Sequence, residues 1–170
     1  MRKRPTLASL ATVAVASLAA AGAAVVLPQP AAATTCSTAW GTQAKQVTNN
    51  NHGALTAVRA GRHDCYDRLV LDVSRTGLGY RVTYVRQVHA EGSGAVVPLR
   101  GGAFLQVVDQ SQASRKLPMP NVAGYTTFRQ VGWGGSFEGY TTLGLGVRTT
   151  LPFRVFTTGN HLVIDVAHHV

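Results

Sequence analysis

The side chains of this chain that are best suited to bind a ligand are large aromatic residues and arginines. An aromatic ring offers a flat face on which a sugar or a peptide can stack, and a guanidinium group offers planar donors for a carboxylate or a phosphate. Trp133 lies among glycines in the run 131–135, which favours a loop, although it could equally plug one end of the fold. The candidate ligand-binding residues are Trp133, Arg129, Arg81, Arg100, Tyr140 and Glu138.

Glu138 is the carboxylate with the most unusual surroundings, because it follows Phe137 between glycines in an otherwise apolar stretch. A glycosidase needs two carboxylates about 5–10 Å apart, and the sequence offers Glu138 no convincing partner. Asp67, Asp72 and Asp165 are better suited to cross-strand pairs with nearby basic side chains. No G-x-S-x-G elbow occurs. We therefore predict no catalytic residues and keep a small envelope hydrolase using Glu138 as an alternative.

The six histidines do not have the spacing of metal ligands. No H-x-x-x-H pair exists that a helix would bring to one face, and neither cysteine belongs to a C-x-x-C motif. We therefore predict no metal and no cofactor.

Residues 1–33 have the layout of a secretory signal peptide. Arg2, Lys3 and Arg4 precede an uncharged apolar run over 7–27, and three alanines at 31–33 form an A-x-A cleavage site. We predict cleavage after Ala33 and a protein that works outside the cytoplasm, in the cell envelope or secreted. An uncleaved membrane anchor is the alternative, and we expect membrane contact only in that case.

Cys36 and Cys65 are the two cysteines of the chain, and an exported protein meets an oxidising compartment. The sequence therefore predicts a disulfide between them, with two free thiols, or a zinc pair with histidines, as the alternative. Closing a loop of this length stabilises the fold by about 3.5 kcal/mol in the chain-entropy model.

The charge of the chain favours an anionic partner but not a nucleic acid. Three of the sixteen Lys and Arg residues belong to the predicted signal peptide, so thirteen remain against seven acidic residues. These thirteen basic residues are spread along the chain, and their longest uninterrupted run is the pair Arg115-Lys116. A nucleic-acid site would instead be a clustered patch. Outside a bacterial cell, such a surface fits anionic wall polymers or lipid headgroups, although it can also serve solubility alone.

The pattern of apolar residues predicts strands throughout the mature chain. Alternation over 67–73 and 80–88 is typical of half-buried strands, with turns at 77–79 and 159–160. Further strands are predicted at 54–59, 103–108, 125–131, 140–148, 153–157 and 161–166. The sequence thus predicts an all-β fold: a single β-sandwich, or flattened barrel, of about eight short, mainly antiparallel strands. The predicted organisation is a signal peptide at 1–33, a loop-like segment at 34–53 and the domain at 54–170.

One predicted strand carries Gly144 and Gly146 on the face opposite its apolar residues. Glycine inside a strand indicates a bulge, a bend or close approach by another backbone. We expect another loop, for example the turn at 133–135, to pack on this strip, with a bound ligand as the alternative.

Several runs together resemble the AMIN-like domain of secreted proteins and lipoproteins from high-GC Gram-positive bacteria. They lie at 61–73, 79–82, 97–103, 135–139, 152–155 and 162–168. The resemblance implies a β-sandwich related to the AMIN domain, a module that targets amidases and secretin-type machines to the envelope, often through peptidoglycan. It implies no enzymatic activity and no specific functional residues. Thr35 before Cys36 departs from the lipobox of the lipoprotein relatives.

The leading hypothesis is an exported, non-catalytic envelope protein. It would bind a cell-wall component, either peptidoglycan or an anionic wall polymer, or an envelope partner protein. A passive structural domain without a specific ligand is the remaining alternative beside the hydrolase.

Overall fold

The computed structural model describes residues 36–170, which form strands and no helix; the predicted signal peptide and its cleavage site lie outside these residues. None of the described residues therefore forms a helix that could cross a bilayer. The strands are β1 (Lys45–Val47), β2 (Gly53–Arg62), β3 (Tyr66–Val73), β4 (Tyr80–Val85), β5 (Val88–His89), β6 (Val96–Val97), β7 (Ala103–Asp109), β8 (Ser111–Gln112), β9 (Phe128–Phe137), β10 (Tyr140–Val147), β11 (Phe153–Thr158) and β12 (His161–Ala167).

The strands form two five-stranded sheets. Sheet I has the order β1-β4-β7-β10-β9 and sheet II has the order β11-β12-β3-β2-β8, while β5 and β6 form a separate hairpin. All neighbours are antiparallel except β2 and β8. The prediction of an all-β, mainly antiparallel β-sandwich is confirmed. The segment predicted to be loop-like contains β1, and the strand predicted at 80–88 is divided into β4 and β5.

The core lies between the inner faces of the two sheets. In β3 the burial alternates, so that Leu69, Leu71 and Val73 are buried while their neighbours are only half-buried, as the period-two pattern predicts. Further fully buried residues of the core are Val82, Leu105, Val107, Leu143, Leu145, Val147, Phe128, Phe153, Ile164 and Val166. The strands therefore hold their alternate side chains outward on two opposite faces.

The glycine face of β10 is covered by the chain that follows β6. A Cβ atom on Gly144 would lie 2.5 Å from Leu99 Cδ1, and one on Gly146 would overlap the carbonyl oxygen of Arg100. The expectation that another loop packs on this strip is confirmed, but the loop is not the turn at 133–135, because those residues belong to β9, beside β10 in the same sheet. The glycines thus permit close packing of residues 97–101 on sheet I.

The predicted disulfide between Cys36 and Cys65 is confirmed, with the two Cα atoms 5.4 Å apart. It ties the start of the described chain to the loop between β2 and β3. Further along, the carbonyl oxygen of Gly41 accepts a hydrogen bond of 2.9 Å from the amide of Phe153 in β11. These contacts hold the N-terminal segment on sheet II before the chain reaches β1 in sheet I.

Candidate functional site

The sheets bring two of the six candidate ligand-binding residues together. Arg81 in β4 and Tyr140 in β10 line one groove. Trp133 and Arg129 lie in β9, Arg100 lies before β7, and Glu138 lies in the turn between β9 and β10. Arg81 and Tyr140 are therefore the two predicted site residues that share a groove.

This groove, the Arg81 groove, lies at the outer face of sheet I where β1 pairs with β4. Its volume is about 220 Å³. Arg81 is opposite Gln46 of β1 on one side and Val108 of β7 on the other, which brings three strands to the same face. The lining residues are Gln46, Val47, Thr48, Tyr80, Arg81, Val108, Gln110 and Tyr140.

Arg81 is the charged group of the groove. Its side chain is exposed, and it makes no hydrogen bond or ion pair with any of residues 36–170. All its N–H donors are therefore available to a ligand. Tyr80, the preceding residue in β4, packs against the core, and partial burial raises the pKa of its phenol, so this hydroxyl stays neutral at physiological pH. The groove thus combines one unpartnered cation with neutral aromatic and amide groups.

Gln110 holds the groove together and is the residue that sequence reasoning missed. Its Oε1 accepts a hydrogen bond of 2.8 Å from the amide of Gly79, and its Nε2 donates to the carbonyl oxygen of Asn49 at 2.8 Å. Nε2 also lies 3.4 Å from the Tyr140 hydroxyl. One nearly buried amide therefore joins the chain after β1, the turn before β4 and the start of β10.

Trp133 is a strand residue, so its predicted position in a loop is wrong. It pairs with Leu143 of β10 and packs against the core from the inner face of sheet I. A side chain on either flanking glycine would instead point to the outer face of sheet I. A Cβ on Gly132 would lie 2.6 Å from Leu99, and one on Gly134 would lie 2.7 Å from Thr142. Close packing on the outer face explains the glycines without a loop.

The guanidinium group of Arg129 is used within the domain. Its Nη1 donates to the carbonyl oxygens of Tyr125 at 3.1 Å, Thr126 at 3.3 Å and Phe128 at 3.0 Å. Arg100 differs, because its side chain is exposed and makes no hydrogen bond with the described residues. A binding role for Arg100 stays a prediction, whereas the contacts of Arg129 and Trp133 within the domain favour structural roles.

Glu138 occupies the tip of the hairpin between β9 and β10. Its φ angle is 47° and that of Gly139 is 87°, which suits a two-residue turn with both central residues in the left-handed region. The side chain is exposed. This turn explains the glycine-flanked glutamate, and no observation on residues 36–170 favours the hydrolase alternative. The same residues contain no group of three or more His, Cys, Asp or Glu side chains arranged to hold a metal ion.

The surface is more cationic than the amino-acid counts suggest. Asp67, Asp109 and Asp165 are buried, and Asp72 pairs with Arg59 at 2.6 Å. By contrast, several basic side chains are exposed and make no hydrogen bond or ion pair with residues 36–170. These are Arg75, Arg81, Arg86, Arg100, Arg115 and Lys116. Most of the unpaired positive charge is therefore exposed to solvent, whereas little of the negative charge is.

Asp109, next to Gln110 in the chain, is a buried carboxyl with a perturbed acidity. Its side chain is 1 % exposed, and Oδ1 has no hydrogen-bond partner among residues 36–170. Burial raises the pKa of Asp109 to about 6, although the Ser111 hydroxyl that donates to its other oxygen acts in the opposite direction. The folded state therefore favours the neutral acid.

We expect Asp109→Asn to stabilise the domain at neutral pH and to have little effect in acid. A pKa raised from 3.8 to about 6 corresponds to a penalty of about 3 kcal/mol above pH 6. With respect to this group, the folded state is most stable below about pH 4 and loses stability as the pH rises to about 6. Urea unfolding of both proteins over this pH range measures the effect. The control is Asp64→Asn, since Asp64 is exposed. If Asp109→Asn raised the free energy of unfolding by the same amount at all pH values, the result would contradict this account.

Comparison with known proteins agrees with this fold. The model of the AMIN-like domain family matches residues 53–168, from the start of β2 to just beyond β12. No curated protein and no solved structure gives a match. Domains of this family are extracytoplasmic and generally non-catalytic. Since the match covers more than half of the sequence, this chain belongs to the AMIN-like domain family.

Proposed function

We propose that this protein is an exported, non-catalytic envelope module that binds an anionic component of the cell wall in the Arg81 groove. The observation that carries the proposal is the exposed Arg81 guanidinium, which has no partner among residues 36–170 and lines the same groove as Tyr140. A planar cation in a groove that also holds an aromatic side chain suits a carboxylate or phosphate carried on a sugar or a short peptide. Peptidoglycan and the anionic wall polymers both offer such groups.

Export is part of the same proposal. The disulfide between Cys36 and Cys65 is stable in an oxidising compartment, and the family is extracytoplasmic. We accordingly propose that residues 1–33 are a signal peptide, and that the domain at 54–170 acts together with the segment at 34–53. That segment contributes β1, and therefore Gln46 and Val47, to the groove.

The size of the groove limits what it holds. About 220 Å³ accommodates one sugar ring or one or two peptide units. Bidentate hydrogen bonds to Arg81 would fix the anionic group, while Tyr140 contacts the apolar parts of the ligand. The exposed arginines elsewhere would raise the encounter rate with an anionic polymer.

We expect Arg81→Gln to weaken binding to purified, protein-free cell wall by about ten- to one-hundred-fold at low salt. A hydrogen bond to a charged group contributes about 1.5–3 kcal/mol, which corresponds to that factor. The measurement is a pull-down over a salt series, and the salt dependence of Arg81→Gln should be shallower because one screened attraction is lost.

The matched control is Arg86→Gln, because Arg86 follows β4, is exposed and also makes no hydrogen bond or ion pair with the described residues. It removes the same charge outside the groove, so its affinity should fall by less than about threefold. Equal losses in the two variants would show that binding depends on net charge alone and would contradict the Arg81 groove as the site.

A further inference from the structure

Arg154 lies on the outer face of sheet II, where its neighbours hold the guanidinium group in a fixed orientation. Its surroundings, the Arg154 platform, comprise Trp40, Tyr66, Arg68, Arg154, Phe156 and Asp165. Arg154 lies in β11 between Phe153, which is fully buried in the core, and the partly buried Val155. Its side chain therefore points away from the core and from the Arg81 groove, which belongs to sheet I.

The guanidinium of Arg154 is fixed by rings and by a carboxylate. Its central carbon lies 4.4 Å from the centroid of Trp40, 5.4 Å from that of Tyr66 and 5.3 Å from that of Phe156. Its Nε donates to Asp165 Oδ2 at 2.8 Å. A cation held by these contacts loses little conformational freedom when a ligand arrives.

The platform carries more positive charge than its carboxylate neutralises. Arg68 also donates to Asp165, through Nε at 2.6 Å and Nη2 at 2.9 Å, so two guanidinium groups share one buried carboxylate. Asp165 is thereby engaged on both oxygens. A net positive charge is left, and 40 % of the Arg154 side chain is exposed to solvent.

The terminal donors of Arg154 are unused within the described part of the chain. Its Nη1 and Nη2 make no hydrogen bond with any of residues 36–170, although Nε is bonded. A purely structural ion pair with Asp165 is already made by Arg68, with two hydrogen bonds. Arg154 therefore adds a positioned cation whose two terminal nitrogens are available to an oxyanion.

We propose that the Arg154 platform is a second binding site that takes a carboxylate or a phosphate group. The oxyanion accepts hydrogen bonds from Nη1 and Nη2 of Arg154, and the edges of Trp40 and Phe156 contact the carrier of that group. Because this site is on the outer face of sheet II, it is independent of the Arg81 groove. A domain with both sites can hold two anionic strands at once, on its two opposite faces.

The test is a titration of the ¹⁵N-labelled protein, followed through the Arg154 Nε–H and Trp40 Nε1–H signals. The probes are inorganic phosphate, acetate, poly(glycerol phosphate) and polygalacturonate, of which the two polymers distinguish a phosphate from a carboxylate source. We expect saturable shifts of both signals with at least one polymer. The titration is repeated with Arg81→Gln, in which the platform signals should respond as in the parent; this outcome separates the second site from the groove.

Arg154→Lys keeps the charge but loses the planar pair of donors, and we expect it to weaken polymer binding at the Trp40 signal by at least fivefold. Arg115→Lys, at an exposed arginine without a partner among the described residues, is the matched control and should bind as the parent does. Signals of Arg154 and Trp40 in the parent protein that do not respond to any probe would overturn the proposal. So would equal affinity of Arg154→Lys and the parent.

Discussion

Replacing Trp133 by alanine is expected to lower the free energy of unfolding by about 3 kcal/mol, the lower end of the effect of truncating a large aromatic residue in a core, because Trp133 is only partly buried. Trp133 packs against the core from β9, opposite Leu143. The flanking glycines leave no room for a shift of the strand, because Leu99 and Thr142 pack directly on them. The cavity would therefore persist, and the lost contacts would not be regained.

Chemical denaturation measures this effect, and the cell-wall pull-down is done on the same variant under conditions in which it is folded. We expect the wall affinity of folded Trp133→Ala to equal that of the parent. Phe137→Ala is the control, because Phe137 is an aromatic residue of the same strand that is 50 % exposed; it should lower stability by less than about 1 kcal/mol. A small loss of stability in Trp133→Ala with a large loss of affinity would instead make Trp133 a ligand-binding residue.

Replacing Asp67 by alanine is expected to cost about 3–5 kcal/mol of stability, since it removes one partner of a buried, charged hydrogen-bond network. Asp67 is fully buried in β3. Its Oδ2 accepts hydrogen bonds from the amides of Thr127 at 2.6 Å and Phe128 at 3.0 Å, and its Oδ1 lies 3.2 Å from Nε2 of His168. The carboxylate thus connects the start of β9 to the end of the chain beyond β12.

The other ring nitrogen of His168 lies 3.1 Å from the carbonyl oxygen of Asp64, so both ring nitrogens face acceptors. Without Asp67, the two amides and Nε2 of His168 would lose this acceptor while buried. Equilibrium unfolding in urea tests the prediction. Asp64→Ala is the matched control, because Asp64 is exposed and precedes β3; we expect less than about 0.5 kcal/mol there. A loss below about 1 kcal/mol in Asp67→Ala would contradict the account of this network.

The longer strands could be predicted because each presents at least one apolar face to the core. Residues 67–73 alternate in sequence and in burial, and the turn at 159–160 joins β11 to β12 as expected. The short strands β1, β6 and β8 could not be predicted, because two or three residues are too few to show an alternating apolar pattern. These strands form because neighbouring strands pair with them. The disulfide could be predicted from the number of cysteines and the oxidising compartment of an exported protein alone.

The site was harder to predict, because it depends on contacts between distant parts of the chain. Arg81 and Tyr140 were recognised from their chemistry, but their meeting in one groove follows from the order of the strands in sheet I. Gln110 carries no signal in the sequence, because its partners Asn49, Gly79 and Tyr140 come from three other segments. Glycines usually mark turns and therefore favour a loop around Trp133, whereas here Gly132 allows Leu99 to pack on a strand and Gly134 lies against Thr142.

The most direct test of the central claim is a titration of the ¹⁵N-labelled mature protein with solubilised anionic cell-wall fragments, read at the Arg81 groove. The account predicts saturable shifts at Gln46, Arg81 and Tyr140 that weaken as salt is added. In Arg81→Gln the shifts at Gln46 and Tyr140 should be lost at the same fragment concentration. Binding of the fragments without shifts at these residues, or shifts at Gln46 and Tyr140 that are unchanged in Arg81→Gln, would contradict it.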